Sequence, residues 1–529
     1  MLEKVTIHNF KIFREFSLEF NPGTNILVGD NEAGKSTILE AISIALSGRI
    51  QGRQLHSELT PHIFNQATAA EYIAKVNSGA AADLPEIIIE LFLRSSPETA
   101  KLRGTNNRDK EDAAGIRVRI AYDPDYAAEY QEFIQDNNIS SIPVEFFIVQ
   151  WLDFGGHPMT QRSVPVAASM INADRIRLHS GADYYLSQII NSSLDDKQRV
   201  ALTRAYRDLQ GMFSSNESIS AINETLNTTR GELSDKTLSL AVDFSQRAGW
   251  ESGLVPHLDS LPFAHVGAGE QNILKILLAI SRKLEDSHIV LIEEPENHLS
   301  FSTLNKLIKK IEDKCGERQL FITTHSSFVL NKLGLANLIL LRNQKVAKLK
   351  DLSPETQDYF MKLSGYDTLR VVLAKRMIMV EGDSDELVVQ RAYRDIHDCL
   401  PIQDGVDIMD VGGLTALRYI EIAVLLDTDI HIVTDNDGDI AKVDGKYVEY
   451  VGVPYVHIHR CDSPSLPSLE ENMIAANGLN VMNAILDKTY DTEERLLRHM
   501  KRNKTGCALA VLSTPENVKM PEYILDAVR

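Results

Sequence analysis

Gly29-Asp30-Asn31-Glu32-Ala33-Gly34-Lys35-Ser36 is the stretch of sequence that decides the fold. It matches the pattern G-x-x-x-x-G-K-[ST] and lies between a predicted strand, TNILVG, and a predicted helix, TILEAISIALS. In such a loop the backbone N–H groups hold phosphates, the lysine reaches the β and γ phosphates, and the serine hydroxyl binds Mg²⁺. We therefore predict that this loop binds ATP, through Gly29, Asn31, Gly34, Lys35, Ser36 and Thr37.

A second element of the predicted phosphate site is the apolar strand Ile289-Val290-Leu291-Ile292, which is followed by Glu293 and Glu294. Two adjacent carboxylates at the end of a buried strand are costly unless they bind a cation or orient a water molecule. Phosphoryl transfer needs both functions, so we expect Glu293 on the Mg²⁺ side and Glu294 polarising the attacking water. A solvated turn is the alternative.

These motifs resemble those of the ABC-type ATPases, and three further segments match that family in order and spacing. Gly267-Ala268-Gly269-Glu270-Gln271 resembles the signature motif, Glu296-Asn297-His298-Leu299 stands at the D-loop, and His325 stands at the switch histidine. The resemblance implies that bound ATP is also contacted by Gly267, Gly269, Gln271 and His325. In the family the signature of one head completes the phosphate site of another, which implies a head-to-head homodimer.

The spacing between Lys35 and Glu293 is much longer than in transporter ATPases, so the resemblance is to the soluble branch of chromosome-maintenance and recombination ATPases. Residues 183–250 are typical of several amphipathic helices, in the place where that branch carries a long coiled coil. This helical insertion either builds the dimer or packs on its own domain.

Acidic residues follow two predicted strands in the C-terminal part of the chain. Val380-Glu381-Gly382-Asp383-Ser384-Asp385 ends the first strand, and Asp435-Asn436-Asp437-Gly438-Asp439 follows a later one. The carboxyl ends of parallel strands meet at one sheet edge, where repelling carboxylates are tolerated mainly because they hold cations. Oxygen ligands favour Mg²⁺ or Mn²⁺. We predict a metal site there, with solvated turns as the alternative.

The acidic pattern is similar to the E-G-x-x-D/E and D-x-D motifs of the Toprim domain, with Val411-Gly412-Gly413 at the glycine turn between them. An ABC-type head followed by a Toprim domain is the arrangement of the overcoming-lysogenization-defect (OLD) family of nucleases, which the chain resembles over nearly its whole length. The resemblance implies a metal-binding set of Glu381, Asp385, Asp435, Asp437 and either Glu470 or Glu471. Asp385 stands where a glutamate is common. Lys504 would compensate the negative charge that develops on the phosphodiester. The predicted catalytic residues for DNA cleavage are therefore Glu381, Asp435 and Lys504. For ATP hydrolysis the predicted catalytic residue is Glu294.

The order of predicted elements divides the chain into domains. An ABC-type ATPase head comprises residues 1–182 and 251–350 and is interrupted by the insertion at 183–250; a linker (351–374) leads to a Toprim domain (375–529). Strands and helices alternate on both sides of the linker. The predicted fold class is therefore α/β, with a mostly parallel sheet in the Toprim domain.

Composition and charge exclude several classes of protein. Hydrophobic residues make up 43% and charged residues 24%, which is typical of a globular chain. No apolar run reaches the ~18 residues of a membrane span. The four cysteines lack paired spacing, so we expect a cytoplasmic protein without disulfides or a cysteine-bound zinc.

The net charge of −19 argues against a protein that coats itself with nucleic acid, because such binding depends on phosphate neutralisation. A local basic cluster could still contact DNA, or it could be an ordinary charged helix face. It consists of Arg495, Arg498, His499, Lys501, Arg502 and Lys504.

Together the motifs predict an ATP-regulated, Mg²⁺- or Mn²⁺-dependent DNA endonuclease or nickase that dimerises. The family resemblance implies a role in phage defence. An accessory defence protein is a possible partner in that role. Two alternatives stay open: a nucleotide-switched DNA clamp or scaffold whose partners do the chemistry, and a primase- or topoisomerase-like Toprim enzyme. No motif tells whether ATP activates or inhibits cleavage.

Overall fold

The computed structural model of the chain describes all residues except 31, 51–52, 135–138, 162, 167, 173–193, 229–239, 241–256, 281–287, 315, 317, 327–328, 331–332, 363–369, 372 and 413–414. Its strands are β1 (Leu2–Phe10), β2 (Phe13–Glu19), β3 (Thr24–Gly29), β4 (Arg49–Ile50), β5 (Arg53–Gln54), β6 (Ile87–Leu93), β7 (Arg103–Gly104), β8 (Ala113–Tyr122), β9 (Phe147–Asp153), β10 (Ala168–Asn172), β11 (His257–Leu258), β12 (Leu261–Pro262), β13 (Ile289–Glu293), β14 (Gln319–Thr323), β15 (Leu338–Arg342), β16 (Lys345–Lys348), β17 (Arg376–Val380), β18 (Val406–Asp410), β19 (Asp429–Val433) and β20 (Val456–His459).

The helices are α1 (Lys35–Ser47), α2 (Gln66–Asn77), α3 (Ala127–Ile134), α4 (Asp196–Ser214), α5 (Glu217–Thr228), α6 (Ala268–Ile280), α7 (Phe301–Lys314), α8 (Pro354–Lys362), α9 (Asp383–His397), α10 (Ala416–Leu426), α11 (Ile440–Lys446), α12 (Leu469–Leu486), α13 (Glu493–Arg502), α14 (Lys504–Ser513) and α15 (Glu522–Val528). None of these described helices is both long and apolar enough to cross a membrane.

The chain forms two compact units. Unit 1 comprises residues 1–24 and 39–323, and unit 2 comprises residues 25–38 and 324–529. The phosphate-binding loop at residues 29–36, called the P-loop below, therefore belongs to the same unit as the C-terminal sheet.

Unit 1 contains an antiparallel sheet and a parallel one. The antiparallel sheet has the order β2-β1-β6-β8-β7, with β9 paired to β8. Strand β6 is buried at every residue, including Glu90, whose carboxylate accepts hydrogen bonds from the Thr6 hydroxyl (2.9 Å) and the Arg108 N–H (2.9 Å). In the parallel sheet β13 lies between β10 and β14, and Glu293 at the end of β13 pairs with Thr323. This register brings Glu293 to the carboxyl edge, as the sequence predicts.

Unit 2 contains the strand that leads into the P-loop, the neighbours of that strand, and a separate parallel sheet. Strand β3 pairs in parallel with β15, which pairs antiparallel with β16. The separate sheet has the order β18-β17-β19-β20 and is parallel throughout. Because β17 and β19 are neighbours, the acidic segments that follow them start side by side.

The predicted α/β fold class, with a parallel sheet in the C-terminal domain, is confirmed. Helices α4 and α5 lie within the predicted insertion (183–250), of which the structure describes residues 194–228 and 240. The segment predicted as a linker contains helix α8. Ser353 explains it, because its hydroxyl accepts a hydrogen bond from the Thr356 N–H in front of a proline at the first helical position.

Candidate functional site

The P-loop makes a tight turn between β3 and α1. A Cβ at Gly29 would lie 2.2 Å from the carbonyl oxygen of Leu341 on the neighbouring strand β15, so that only glycine fits. Gly34 has a φ of 92°, a conformation that also favours glycine. The turn leads directly into the N-terminus of α1, where free N–H groups and the helix dipole favour an anion.

Lys35 and its neighbours differ in burial and contacts. The Lys35 Nζ donates to the carbonyl oxygens of Gly29 (2.8 Å) and Asp30 (2.9 Å), so the buried ammonium lies across the loop that would hold the phosphates. Ser36 is exposed and Thr37 is buried. Asn31 lies outside the described residues.

The end of strand β13 in unit 1 holds Glu294 firmly. Glu294 has a φ of 46°, which is uncommon outside glycine. Its N–H donates to the carbonyl oxygen (3.0 Å) and hydroxyl (3.2 Å) of Thr323, and its Oε2 accepts from the Asn297 Nδ2 (2.7 Å). The backbone and the side chain of Glu294 are therefore both fixed, as a residue that orients a water molecule needs.

The signature-like segment packs against the D-loop-like segment within unit 1. A Cβ at Gly269 would lie 2.3 Å from the carbonyl oxygen of His298, so glycine is required at this contact. The buried Gln271 amide donates to the carbonyl oxygens of Phe263 (2.7 Å) and Val266 (2.8 Å) and so braces its own loop. Gly267 is exposed just before α6, with open space around the position of a Cβ. His325, in unit 2, is partly buried.

Four acidic side chains and a lysine meet at the carboxyl edge of the C-terminal sheet. They come from the ends of β17 and β19 and the first turns of α9, α12 and α14, and are called the carboxylate cluster: Glu381, Asp435, Asp385, Glu470 and Lys504. The Lys504 Nζ lies 3.5 Å from the Glu470 Oε1. The Thr434 hydroxyl donates to the Glu381 Oε1.

The electrostatics of the cluster are those of a site built for a cation. Burial, reinforced by the charges of Glu381 and Glu470, raises the pKa of Asp385 to about 7. Burial, with Asp385, Glu381 and Glu470, raises the pKa of Asp435 to about 8. Lys504 opposes both shifts. Without a further positive charge, the two aspartates share protons near neutral pH.

A hydrated divalent cation fits the residues of the cluster. The donors are carboxylate oxygens, the ligands that Mg²⁺ and Mn²⁺ prefer. The Tyr523 hydroxyl is buried and has no hydrogen-bond partner among the described residues. Burial raises the pKa of Tyr523, and the charges of Asp435 and Asp385 raise it further. A water molecule on a bound metal would satisfy this hydroxyl.

The structure separates the two glutamates between which the sequence could not choose. Glu470 is buried in the cluster, whereas Glu471 forms an ion pair with Lys501. Burial would raise the pKa of Glu471, but hydrogen bonds from Lys501 and Ser468 outweigh it and lower the pKa. Asp437 is exposed in a left-handed turn, and its N–H donates to the Pro467 carbonyl oxygen (3.1 Å).

Sequence reasoning missed two residues of the site, Thr434 and Tyr523. Thr434 could have been found, because it directly precedes the D-x-D motif on a predicted strand. Tyr523 carries no such signal, since only the packing of α15 brings it to the sheet edge.

The basic cluster lies on α13 and at the start of α14. The buried side of α13 carries Leu496 and Met500, and the basic side chains lie mostly on its exposed side. Two of them form ion pairs on their own helix or just before it, Arg495 with Asp491 (3.0 Å) and Arg498 with Glu494 (3.9 Å).

Family models match three successive stretches of the chain. An AAA domain matches residues 4–155, an AAA domain described as a putative AbiEii toxin of a type IV TA system matches residues 172–331, and an overcoming lysogenization defect protein-like TOPRIM domain matches residues 372–437. The chain thus has AAA/ABC-type ATPase domains followed by an OLD-like Toprim domain, which confirms the resemblance predicted from the sequence.

Curated relatives match the same arrangement. The OLD nuclease of Thermus scotoductus is 22% identical over 484 residues, 84% of this chain and 83% of that protein. The endonuclease GajA of Bacillus cereus is 23% identical over 37% of this chain and 36% of its own length. The DNA replication and repair protein RecF of Gloeobacter violaceus is 30% identical over 23% of this chain and 31% of its own length. The match therefore spans about a third of RecF and of GajA, and most of the OLD nuclease.

Proposed function

We propose that the protein is an ATP-hydrolysing, divalent-metal-dependent DNA endonuclease or nickase. The observation that carries this proposal is the partly buried carboxylate cluster with Lys504 at the edge of the Toprim sheet, on the same chain as a P-loop. The names of the similar OLD nuclease and endonuclease GajA support the choice of DNA cleavage among Toprim activities.

In this proposal Glu381, Asp385, Asp435 and Glu470 hold Mg²⁺ or Mn²⁺. When bound, the metal supplies activation of a water molecule and stabilisation of the leaving oxygen of a phosphodiester. Thr434 orients Glu381 through the hydrogen bond from its hydroxyl. The exposed Lys504 side chain pairs with Glu470 and brings a positive charge beside the place where phosphate charge develops.

The ATPase half of the proposal assigns the phosphates to the P-loop and Lys35, and the Mg²⁺ to Ser36 and Glu293. Glu294, held by Asn297 and Thr323, orients the attacking water. The segment Gly267–Gln271 of a second copy completes each site, with His325 at the switch position. The active form is then a homodimer that binds ATP and DNA.

Nicking of supercoiled plasmid tests the nuclease assignment. Purified protein with Mg²⁺ or Mn²⁺ should produce nicked or linear DNA, with a rate that depends on ATP. Glu381→Ala and Asp435→Asn should lose this activity, because each removes a metal ligand. Asp383→Asn is the matched control, since Asp383 is an exposed carboxylate in the same turn as Asp385. Cleavage that persists in both cluster variants would refute the assignment.

Phosphate release tests the ATPase assignment. Lys35→Ala should abolish hydrolysis by removing phosphate binding, and Glu294→Gln should abolish it with ATP binding retained. Lys309→Ala and Glu312→Gln, on the exposed side of α7, are the matched controls. Unchanged turnover in either site variant would mean that the phosphate site lies elsewhere.

We extend the proposal to phage defence in the cytoplasm, where an accessory protein could license cutting. The support is the description of the Toprim model as overcoming lysogenization defect protein-like. Plating of phages on cells that produce the wild type or Glu381→Ala tests it. Protection that needs Glu381 is expected, and equal plating on both strains with every phage tried would contradict the extension.

A further inference from the structure

A second group of metal-binding side chains lies on one face of the Toprim sheet. Asp429 and His431 are two residues apart on β19, so they point to the same face. On the parallel edge strand β20, His457 pairs with His431 and His459 pairs with Val433. All four side chains therefore share one face. Asp429 opens β19, whereas Asp435 follows its end, roughly 20 Å further along an extended chain.

Two of the three distances between donor atoms in this group match a tetrahedral metal site. The Asp429 Oδ1 lies 3.4 Å from the His431 Nε2 and 3.2 Å from the His457 Nε2. Metal–ligand bonds of about 2.0–2.1 Å at tetrahedral angles put ligand atoms about 3.3–3.4 Å apart. One donor atom from each of the three residues lies within 4.8 Å of the others.

Further residues hold these three side chains in place. The His431 Nδ1 lies 2.9 Å from the His459 Nε2, so a proton on Nδ1 leaves the Nε2 lone pair of His431 facing the group. The Asp429 Oδ2 lies 3.6 Å from the Arg376 Nε, on the oxygen not shared with the histidines. Arg376 is anchored in turn, because its guanidinium donates to the Ala527 carbonyl oxygen (2.8 Å) on α15.

We propose that Asp429, His431 and His457 bind a borderline transition metal, most simply Zn²⁺. Two imidazoles and one carboxylate favour such a metal over Mg²⁺, which prefers oxygen ligands. The Asp429 and His457 side chains are 42% and 43% exposed, so the metal can enter from solvent and keep a water molecule as fourth ligand. The metal ties the edge strand β20 to β19. It is a site separate from the carboxylate cluster, because it shares no residue with it.

Metal binding by the full chain in a Glu381→Ala background tests this proposal without a contribution from an intact carboxylate cluster. After chelator treatment and dialysis against micromolar Zn²⁺, the parent should retain one equivalent by atomic emission, and Co²⁺ should give the visible absorption of a tetrahedral site. Asp429→Asn and His457→Ala should each lose the equivalent or weaken binding at least tenfold. His459→Ala should weaken it roughly 10- to 100-fold, as expected of an outer partner.

His499→Ala is the matched control, since His499 is another partly exposed histidine of unit 2, and it lies on α13 with its ring beside Tyr490. It should bind Zn²⁺ like the parent. Circular dichroism of each variant excludes misfolding as the cause of a loss. The proposal is overturned if the parent retains no Zn²⁺, or if Asp429→Asn and His457→Ala retain as much Zn²⁺ as the parent. The group would then be held together by hydrogen bonds and would not bind a metal.

Discussion

At the scale of the residue, the raised pKa values of Asp385 and Asp435, about 7 and about 8, predict how stability depends on pH. Both lie above the unfolded value of about 4, so the folded, metal-free protein binds more protons than the unfolded chain. The resulting stabilisation is present below pH ~4 and lost as the pH rises through these values. The Tm of chelator-treated protein should fall from pH 6 to pH 9, and less so in Asp435→Asn.

Calorimetry with and without Mg²⁺ checks this expectation. Because the metal competes with protons for the same carboxylates, its stabilising effect should be larger at pH 9 than at pH 6. The same slope of Tm against pH in the wild type and in Asp435→Asn would mean that the aspartate does not titrate as the geometry implies.

The variant Tyr523→Phe tests whether the Tyr523 hydroxyl serves DNA cleavage or the stability of the fold. Tyr523→Phe should not lower the Tm, since an unpaired buried hydroxyl costs about 1–3 kcal/mol and its removal relieves that cost. It should slow DNA cleavage about tenfold if the hydroxyl donates to a metal-bound water or to the phosphate. Tyr393→Phe is the control with the opposite pattern, because the Tyr393 hydroxyl donates to the Asp404 Oδ2 (2.8 Å). Full activity in Tyr523→Phe would remove it from the mechanism.

At the scale of the element, the start of α6 depends on its contact with the segment after β13. Gly269→Ala would place a methyl group 2.3 Å from the His298 carbonyl oxygen, and a backbone atom cannot move aside as a side chain can. We expect at least a tenfold loss of ATP turnover, measured as phosphate release. Gly267→Ala meets open space and should stay near wild type. Equal rates for the two variants would show that this contact does not matter for hydrolysis.

The sequence predicts the secondary-structure elements and the residues at the sheet edges. It predicts less well which side chains contact each other in the folded chain. The predicted order of strand, turn and helix around Gly29–Ser36 and Glu381–Asp385 agrees with β3 and α1 and with β17 and α9, because periodicity and glycine positions are local properties. The choice between Glu470 and Glu471 could not be predicted, because it depends on which side of α12 faces the sheet. The partnership of His431 with His457 depends on the register of β20 against β19, which no local pattern encodes.

At the scale of the whole molecule, short contacts inside unit 2 join the P-loop to the Toprim sheet. Gly29 packs on Leu341 of β15, and the next residue, Arg342, donates to the carbonyl oxygens of Ala374 and Lys375, directly before β17. β17 leads to Glu381. Arg342→Ala should therefore leave metal-dependent nicking intact but reduce the effect of ATP on its rate. An unchanged ATP effect would show that coupling follows another route.

The proposed dimer makes a sharper prediction, because a composite site can be completed by mixing two defective chains. Lys35→Ala destroys the P-loop, and Gly267→Trp fills the exposed surface before α6 that would face the partner's ATP. Each variant alone should be inactive. A heterodimer carries one site with both defects and one intact site, so a random mixture should regain about a quarter of the wild-type ATP turnover. The proposed assignment has Lys35 and Glu294 act on the same ATP from one chain, so mixing Lys35→Ala with Glu294→Gln should restore nothing. Absence of rescue in the first mixture, with dimers present by light scattering, would refute the shared site and leave each head to hydrolyse ATP alone.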